Sequence, residues 1–255
     1  MNRSRRWHLR PDAVDLTEQR PTQPVPLEAH PQSLTLDASR TAIIVVDMQN
    51  DFCARGGWLD GIGVDVTAAA AAVPHLQRIL PAARQAGLPV IWLNWGNRRD
   101  RANLPPNVLH VYDPDGAGGG IGDRVGASDA VLTEGSWGAA IVDDLEVHPD
   151  DIHVSKYRMS GFFDTPLDSI LRSLRVDTVL FAGVNADQCV LATLTDAACL
   201  GYDVVLIEGA SATTSPSFCL DATIYNVRQC FGFTTTPDAL LTALPSEPCA
   251  IGAEA

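Results

Sequence analysis

The sequence predicts an α/β fold built on a mostly parallel sheet. Three observations carry that prediction. Several short runs are apolar without alternation, the pattern of strands covered on both faces. Helical stretches separate these runs, and parallel strands need such crossovers. No internal repeat or composition break divides the 255 residues, so one core is expected.

The elements follow in order. Residues 1–38 are polar and punctuated by Pro11, Pro21, Pro24, Pro26 and Pro31. They are expected to form an irregular extension that a neighbouring subunit can receive. Thr41-Ala-Ile-Ile-Val-Val-Asp47 reads as a buried strand ending in a carboxylate. Val66 to Gln85 is an Ala-rich helical stretch interrupted by Pro74 and Pro81 and stopped near Gly87. Pro89 to Trp95 is a second buried strand. Gly96 to Glu134 is loop-like, with Pro105-Pro106 and the glycine-rich residues 116–122. A short helix is expected after Ser136 and a strand near Ile152 to Lys156. Thr165 can cap a helix with Pro166 in its first position and Asp168 at its positive end, ending near Leu174. Thr178 to Ala182 is another apolar strand. Gly183 to Asp187 then turns into a helix from Gln188 to Leu200, closed by Gly201. A strand over Asp203 to Glu208, a helix over Ser217 to Cys230 and a strand over Phe231 to Thr236 complete a single domain, residues 39–245. Residues 246–255 are left as a tail.

Composition narrows the function. The 18 Lys+Arg and 31 Asp+Glu give a net charge of −13, which argues against nucleic acid or an anionic membrane as partner. A hydrophobic content of 46% excludes wholesale disorder. No apolar run approaches the roughly 18 residues of a membrane span. No apolar stretch follows the basic Met1 to Arg10 as it would in a secretory signal, so a cytoplasmic location is expected. Six scattered cysteines (Cys53, Cys189, Cys199, Cys219, Cys230, Cys249) form neither a disulfide framework nor a zinc cluster, so reduced thiols and no metal are expected. The basic residues are 17 arginines and a single lysine, Lys156.

Ligands of such sheets bind beyond the carboxyl ends of the strands. Three reactive groups stand there: Asp47, Lys156 and Cys189. They form a coherent set for nucleophilic attack on a carbonyl if their strand ends adjoin. A thiol in the first turn of a helix and near an ammonium is expected to fall from about 8.5 toward roughly 7 or below. A neighbouring carboxylate can take the thiol proton and later return it to a leaving amine. Each residue also has an ordinary alternative. A Cys before Val-Leu-Ala-Thr-Leu is commonly a packing residue, an Asp ending a first strand a metal ligand, phosphate acceptor or cap, and a lone Lys a solvated charge. Competing motifs are weaker. The glycine run follows no strand and has no GK[ST], and the six histidines show no metal-binding spacing.

Thr41-Ala-Ile-Ile-Val-Val-Asp-Met-Gln-Asn-Asp-Phe52, the lysine after a short strand, and Ala182-Gly-Val-Asn-Ala-Asp-Gln-Cys-Val190 together resemble the isochorismatase-like cysteine hydrolase family, across about residues 38–245. The resemblance implies a three-layer α/β/α fold on a six-stranded parallel sheet and a catalytic triad of Asp47, Lys156 and Cys189. It implies a cis Val184–Asn185 bond that brings the Asn185 and Cys189 N–H groups together as an oxyanion hole. Asn185 and Ala186 depart from the usual residues of that motif. Trp92-Leu-Asn-Trp-Gly-Asn-Arg-Arg99 lacks the histidines of the metal-binding nicotinamidases, and Cys189 argues against isochorismatases proper. Within the family, residues 156–169 resemble ureidoacrylate amidohydrolases and residues 96–106 resemble biuret-type hydrolases. The expectation is a cofactor-free amidohydrolase of a small ureido or carbamoyl compound, acting through a thioester, and a homo-oligomer (dimer or tetramer). Phe52, Asn94 and Trp95 are expected to line the pocket. Arg98 or Arg99 would bind a substrate carboxylate, or be solvated loop charges. A hydrolase of a larger or cyclic amide, and a catalytically silent scaffold, are the competing readings.

Overall fold

The computed structural model describes residues 7–17, 21–125 and 129–245, so the tail expected at 246–255 lies outside the described residues. A hairpin of β1 (Pro24–Leu27) and β2 (Leu34–Asp37) precedes the sheet. The sheet strands are β3 (Thr41–Val46), β4 (Val90–Trp95), β5 (Ile152–Lys156), β6 (Thr178–Gly183), β7 (Asp203–Ser211) and β8 (Phe233–Thr235). They lie in the order β8-β7-β6-β3-β4-β5, and every pairing is parallel. The longer helices are α1 (Val73–Gln85), α2 (Leu167–Leu174), α3 (Leu191–Cys199), α4 (Ser217–Asn226) and α5 (Pro237–Ala243). α1 packs with α5, and α3 and α4 pack around the turn that precedes α3, so helices flank the sheet in the expected three layers.

The strand order has a functional consequence. The chain runs outward from β3 to β5, then returns to the other side of β3 and runs outward again to β8. The carboxyl end of β3 is therefore the switch point where crevices open in such sheets. Residues 41–46 and 178–183 are buried throughout, as strands covered on both faces should be. Gly183 is required where β6 meets β3: its φ is +111°, and a Cβ there would stand 2.1 Å from the Val46 carbonyl oxygen.

Several expectations are corrected. The N-terminal extension is partly regular: His8–Leu9 pairs antiparallel with Val14–Asp15, and from Pro24 onward the chain lies on its own sheet. His30, in the hairpin turn, exchanges backbone hydrogen bonds with Thr234 of the edge strand β8, at 2.8 and 2.9 Å. The prolines misled because β1 is an edge strand, where a missing N–H is tolerated; Pro24 and Pro26 face out while Val25 and Leu27 are buried. No helix follows Ser136. The Gln49 and Asn50 side chains take the Ala139 and Trp137 carbonyls that a helix would have used. The stretch 66–85 divides into a turn at Thr67–Ala70 and α1, which starts beside Pro74 and continues through Pro81. The stretch before α3 is a π-helical turn, Ala186–Val190, with Cys189 inside it. A second π turn, Val227–Phe231, ends the helix expected to reach Cys230. Gly201, at φ +92°, closes α3 as expected, but α2 starts one residue later than expected, with Pro166 as its N-cap and Leu167 first, and the Thr165 hydroxyl accepts from the Leu167 N–H.

Candidate active site

Asp47 follows β3 directly and turns the chain with a φ of +49°, a left-handed conformation uncommon outside glycine. Lys156 is the last residue of β5, and Cys189 follows β6 in the π turn. The strand ends carrying Asp47 and Lys156 are not neighbours, contrary to expectation, because β4 runs between them. Lys156 crosses that gap over the indole of Trp95, with Nζ 4.1 Å from the ring centroid, and ends 2.7 Å from Asp47 Oδ2. Its Nζ also donates to the Arg158 carbonyl at 3.3 Å. Both residues of the pair are 0% exposed. Both Asp47 oxygens are buried, with the Lys156 ammonium and the Cys189 thiol bearing on them. They remain open to a proton from a nearby group.

The electrostatics follow from burial. Loss of solvent pushes the Asp47 carboxyl above its ordinary value, although Lys156 and the Cys189 thiol pull it down. Burial works against the Lys156 ammonium, but Asp47 and Cys189 outweigh it and hold the lysine above its ordinary value. The Cys189 thiol is pushed up to about 12, chiefly by burial and further by Asp47, with Lys156 opposing. This reverses the expected thiol acidity. The ammonium is present, but its charge is shared with a carboxylate in the same dry site, and desolvation of a thiolate dominates.

The expected Val184–Asn185 peptide is cis. The Asn185 side chain has a structural task, since its Oδ1 accepts from the Thr214 N–H at 3.0 Å. Thr213 reinforces the same junction by donating to Asp187 at 2.5 Å. The loop after β7 is thereby fixed to the turn that carries Cys189.

The expected pocket residues separate. Trp95 forms the floor under Lys156, and Asn94 Oδ1 is buried with no hydrogen-bond partner. Phe52 is engaged in packing, edge-on to Trp58 with ring centroids 6.0 Å apart. Arg98 is exposed and paired with Asp100 through contacts of 2.9 and 2.6 Å. Arg99 lines a separate cavity of about 330 Å³ with Arg101, Arg124 and Thr133. Two residues that sequence reasoning missed are Gln49 and Met159. Gln49 Oε1 accepts from the Trp95 N–H at 2.7 Å and its Nε2 donates to the Trp95 carbonyl at 2.8 Å, so one side chain locks the indole-bearing strand end. Its signal was a polar residue two positions beyond a buried strand. Met159 Sδ lies 3.8 Å from Cys189 Sγ.

The isochorismatase domain matches residues 41–239. Ureidoacrylate amidohydrolase RutB of Rhizobium rhizogenes is 37% identical over 215 residues, covering 84% of this chain and 87% of that protein. Among solved structures, a cysteine hydrolase from Pseudomonas syringae pv. phaseolicola has a TM-score of 0.71 at 27% identity, covering 82% of this chain and 94% of that one. N-carbamoylsarcosine amidase from Thermoplasma acidophilum has a TM-score of 0.58 at 25% identity, covering 78% and 97% respectively. With a domain match across most of its length and a relative more than one-third identical, the chain belongs to the isochorismatase family, among its cysteine hydrolases.

Proposed function

We propose that the chain is an amidohydrolase that cleaves the C–N bond of a small ureido or carbamoyl compound, with Asp47, Lys156 and Cys189 as its catalytic residues. The observation that carries this reading is the dry Asp47–Lys156 pair at 2.7 Å, placed at the sheet's switch point within reach of the Cys189 thiol. The similarity to a ureidoacrylate amidohydrolase and to an N-carbamoylsarcosine amidase supports the substrate class.

In the resting site the proton stays on sulfur and the charges on the ion pair. Asp47, made more basic by burial, takes the thiol proton as sulfur bonds to the substrate carbonyl carbon. The backbone N–H groups of Asn185 and Cys189 hold the resulting oxyanion, each donor contributing about 3–4 kcal/mol of transition-state stabilisation. The Asn185 N–H has no other acceptor among the described residues. Collapse breaks the C–N bond, and Asp47 passes its proton to the departing nitrogen. Water then attacks the thioester, yields its proton to Asp47 and breaks the C–S bond, and the proton returns to sulfur. Lys156 keeps Asp47 ionised and offsets the thiolate charge. Asn94 offers its unpartnered oxygen to a substrate N–H. The five described cysteines are all free, which fits a reducing cytoplasm, and Phe218 and Tyr225 leave aromatic rings exposed on α4 for packing between copies in a homo-oligomer.

The test is ammonia release from ureidoacrylate, biuret, triuret, N-carbamoyl amino acids and simple amides. At least one ureido or carbamoyl compound should be turned over, and Cys189→Ser should lower kcat/KM by about a thousandfold or more. Full turnover in that variant would remove Cys189 as the nucleophile.

A further inference from the structure

Met159 stands against the nucleophile, with Sδ 3.8 Å from Cys189 Sγ, and the segment that carries it is fixed on both sides. Before it, the Arg158 carbonyl accepts from Lys156 Nζ at 3.3 Å, and the Arg158 guanidinium donates to the Asn103 carbonyl at 2.8 Å and pairs with Asp164. After it, the Gly161 N–H donates to Thr193 Oγ1 at 3.0 Å, and the Thr193 hydroxyl donates to the Cys189 carbonyl at 2.7 Å. Gly161 lies so close to β4 that a Cβ would stand 2.4 Å from a Leu93 methyl carbon. The backbone over Cys189 is therefore held, and the Met159 side chain, half-buried, packs against the core with its flexible thioether at the thiol.

We infer that Met159 is the specificity-determining wall of the site, and that among ureido and carbamoyl compounds it selects those whose chain beyond the carbonyl's own nitrogens is slim and without hydrogen-bonding substituents. This rests on the reading of Cys189 as nucleophile. A carbonyl carbon must come within about 3–3.5 Å of sulfur to react, so the substrate shares the space that the thioether now fills. A thioether donates no hydrogen bond and accepts only weakly. A polar substituent pressed against it would lose its hydration without gaining a partner, whereas a slim alkyl or unsaturated chain would pack.

Two measurements test this. In the first, Cys189 alkylation by iodoacetamide and by the bulkier N-ethylmaleimide is followed by peptide mass spectrometry. Met159→Ala should accelerate the maleimide at least about fivefold more than iodoacetamide, and Met159→Leu should leave the ratio near that of the unaltered protein. In the second, kcat/KM is compared across amides of graded width and polarity. Met159→Ala should shift preference toward wider substrates by about tenfold, within the range a pocket methylene can discriminate. Met159→Gln, of similar length, should shift preference toward substrates with polar flanks. An unchanged alkylation ratio, or an equal fall for every substrate in all three variants, overturns the assignment. Normal turnover by Cys189→Ser would instead overturn the nucleophile, a result separable from both readouts because alkylation monitors access alone.

Discussion

Lys156 is the one lysine of a chain that uses arginine for every other fixed positive charge, and it is wholly buried between a carboxylate, an indole and a backbone carbonyl. A compact ammonium fits there and a planar guanidinium does not. Lys156→Arg is expected to lower kcat/KM by at least about 100-fold, and overpacking should also cost about 1–3 kcal/mol of stability; steady-state kinetics and urea unfolding measure the two separately. The pH dependence has a defined sign. In the proposed reaction Asp47 is ionised when it accepts the thiol proton, and burial raises its pKa. kcat/KM should therefore fall on acidification through a midpoint above the ordinary carboxylate value of about 3.9. A midpoint at or below that value would exclude Asp47 as the base. Asp47, Lys156 and Cys189 were legible as a candidate set because Asp47 and Cys189 follow apolar strands and Lys156 ends a short one. The state of the thiol was not. An acidic cysteine is inferred from a helix end and a lysine, but the raised thiol depends on burial and on a carboxylate placed by tertiary contacts.

At the scale of elements, Asp151 joins three of them immediately before β5. Its carboxylate accepts from Arg84 of α1 at 3.0 and 2.6 Å, from the Trp92 indole N–H of β4 at 2.8 Å and from the His148 N–H at 2.9 Å. Burial would raise its pKa, yet Arg84 and the two N–H donors outweigh burial and hold it below the ordinary value. Stability from such a group is present above the unfolded-state pKa of about 3.9 and is lost as pH falls through the lower folded value. Asp151→Asn should cost about 1.5–3 kcal/mol at pH 7, the range for hydrogen bonds to a charged group. Chemical denaturation across pH should show the gap narrowing below about pH 4, and a constant gap would remove the ionic role. Two strands were well marked in the sequence, β5 at an edge with His153 and Ser155 exposed and β6 buried on both faces. The strand read at Ile152 to Lys156 is the strand observed, and that at Thr178 gains only Gly183. The π turn around Cys189 left no such mark, because its apolar spacing over a single turn cannot be told from that of an α-helix.

For the molecule as a whole, the N-terminal hairpin closes one end of the sheet. β8 is an edge strand, and an exposed edge presents unpaired backbone groups that invite association. His30 satisfies Thr234 on both sides, the Thr235 hydroxyl donates to the Glu28 carbonyl at 2.7 Å, and β1 packs on α5. Val25, Leu27 and Leu36 are buried with the main core. None of this could be read from residues 1–38, where proline spacing suggested irregularity and the partner strand lies about 200 residues away. The extension thus divides into two parts of unequal weight, since the residues described before Pro21 are mostly exposed. Deleting residues 1–22 should leave the melting temperature within about 2 °C. Deleting residues 1–37 removes the buried Val25, Leu27 and Leu36 side chains and the smaller Ala29; the three larger ones contribute about 1.5–3 kcal/mol each, part of which is offset by the chain entropy regained. At about 2–4 °C per kcal/mol for a domain of this size, melting should fall by roughly 5–15 °C, and light scattering should reveal association through the uncovered edge. If both truncations melt alike and stay equally dispersed, the hairpin does not protect the sheet. The hairpin meets the sheet at the β8 edge, whereas Asp47, Lys156 and Cys189 sit at or beyond the carboxyl ends of other strands, so at temperatures below both transitions the longer truncation should keep its specific activity.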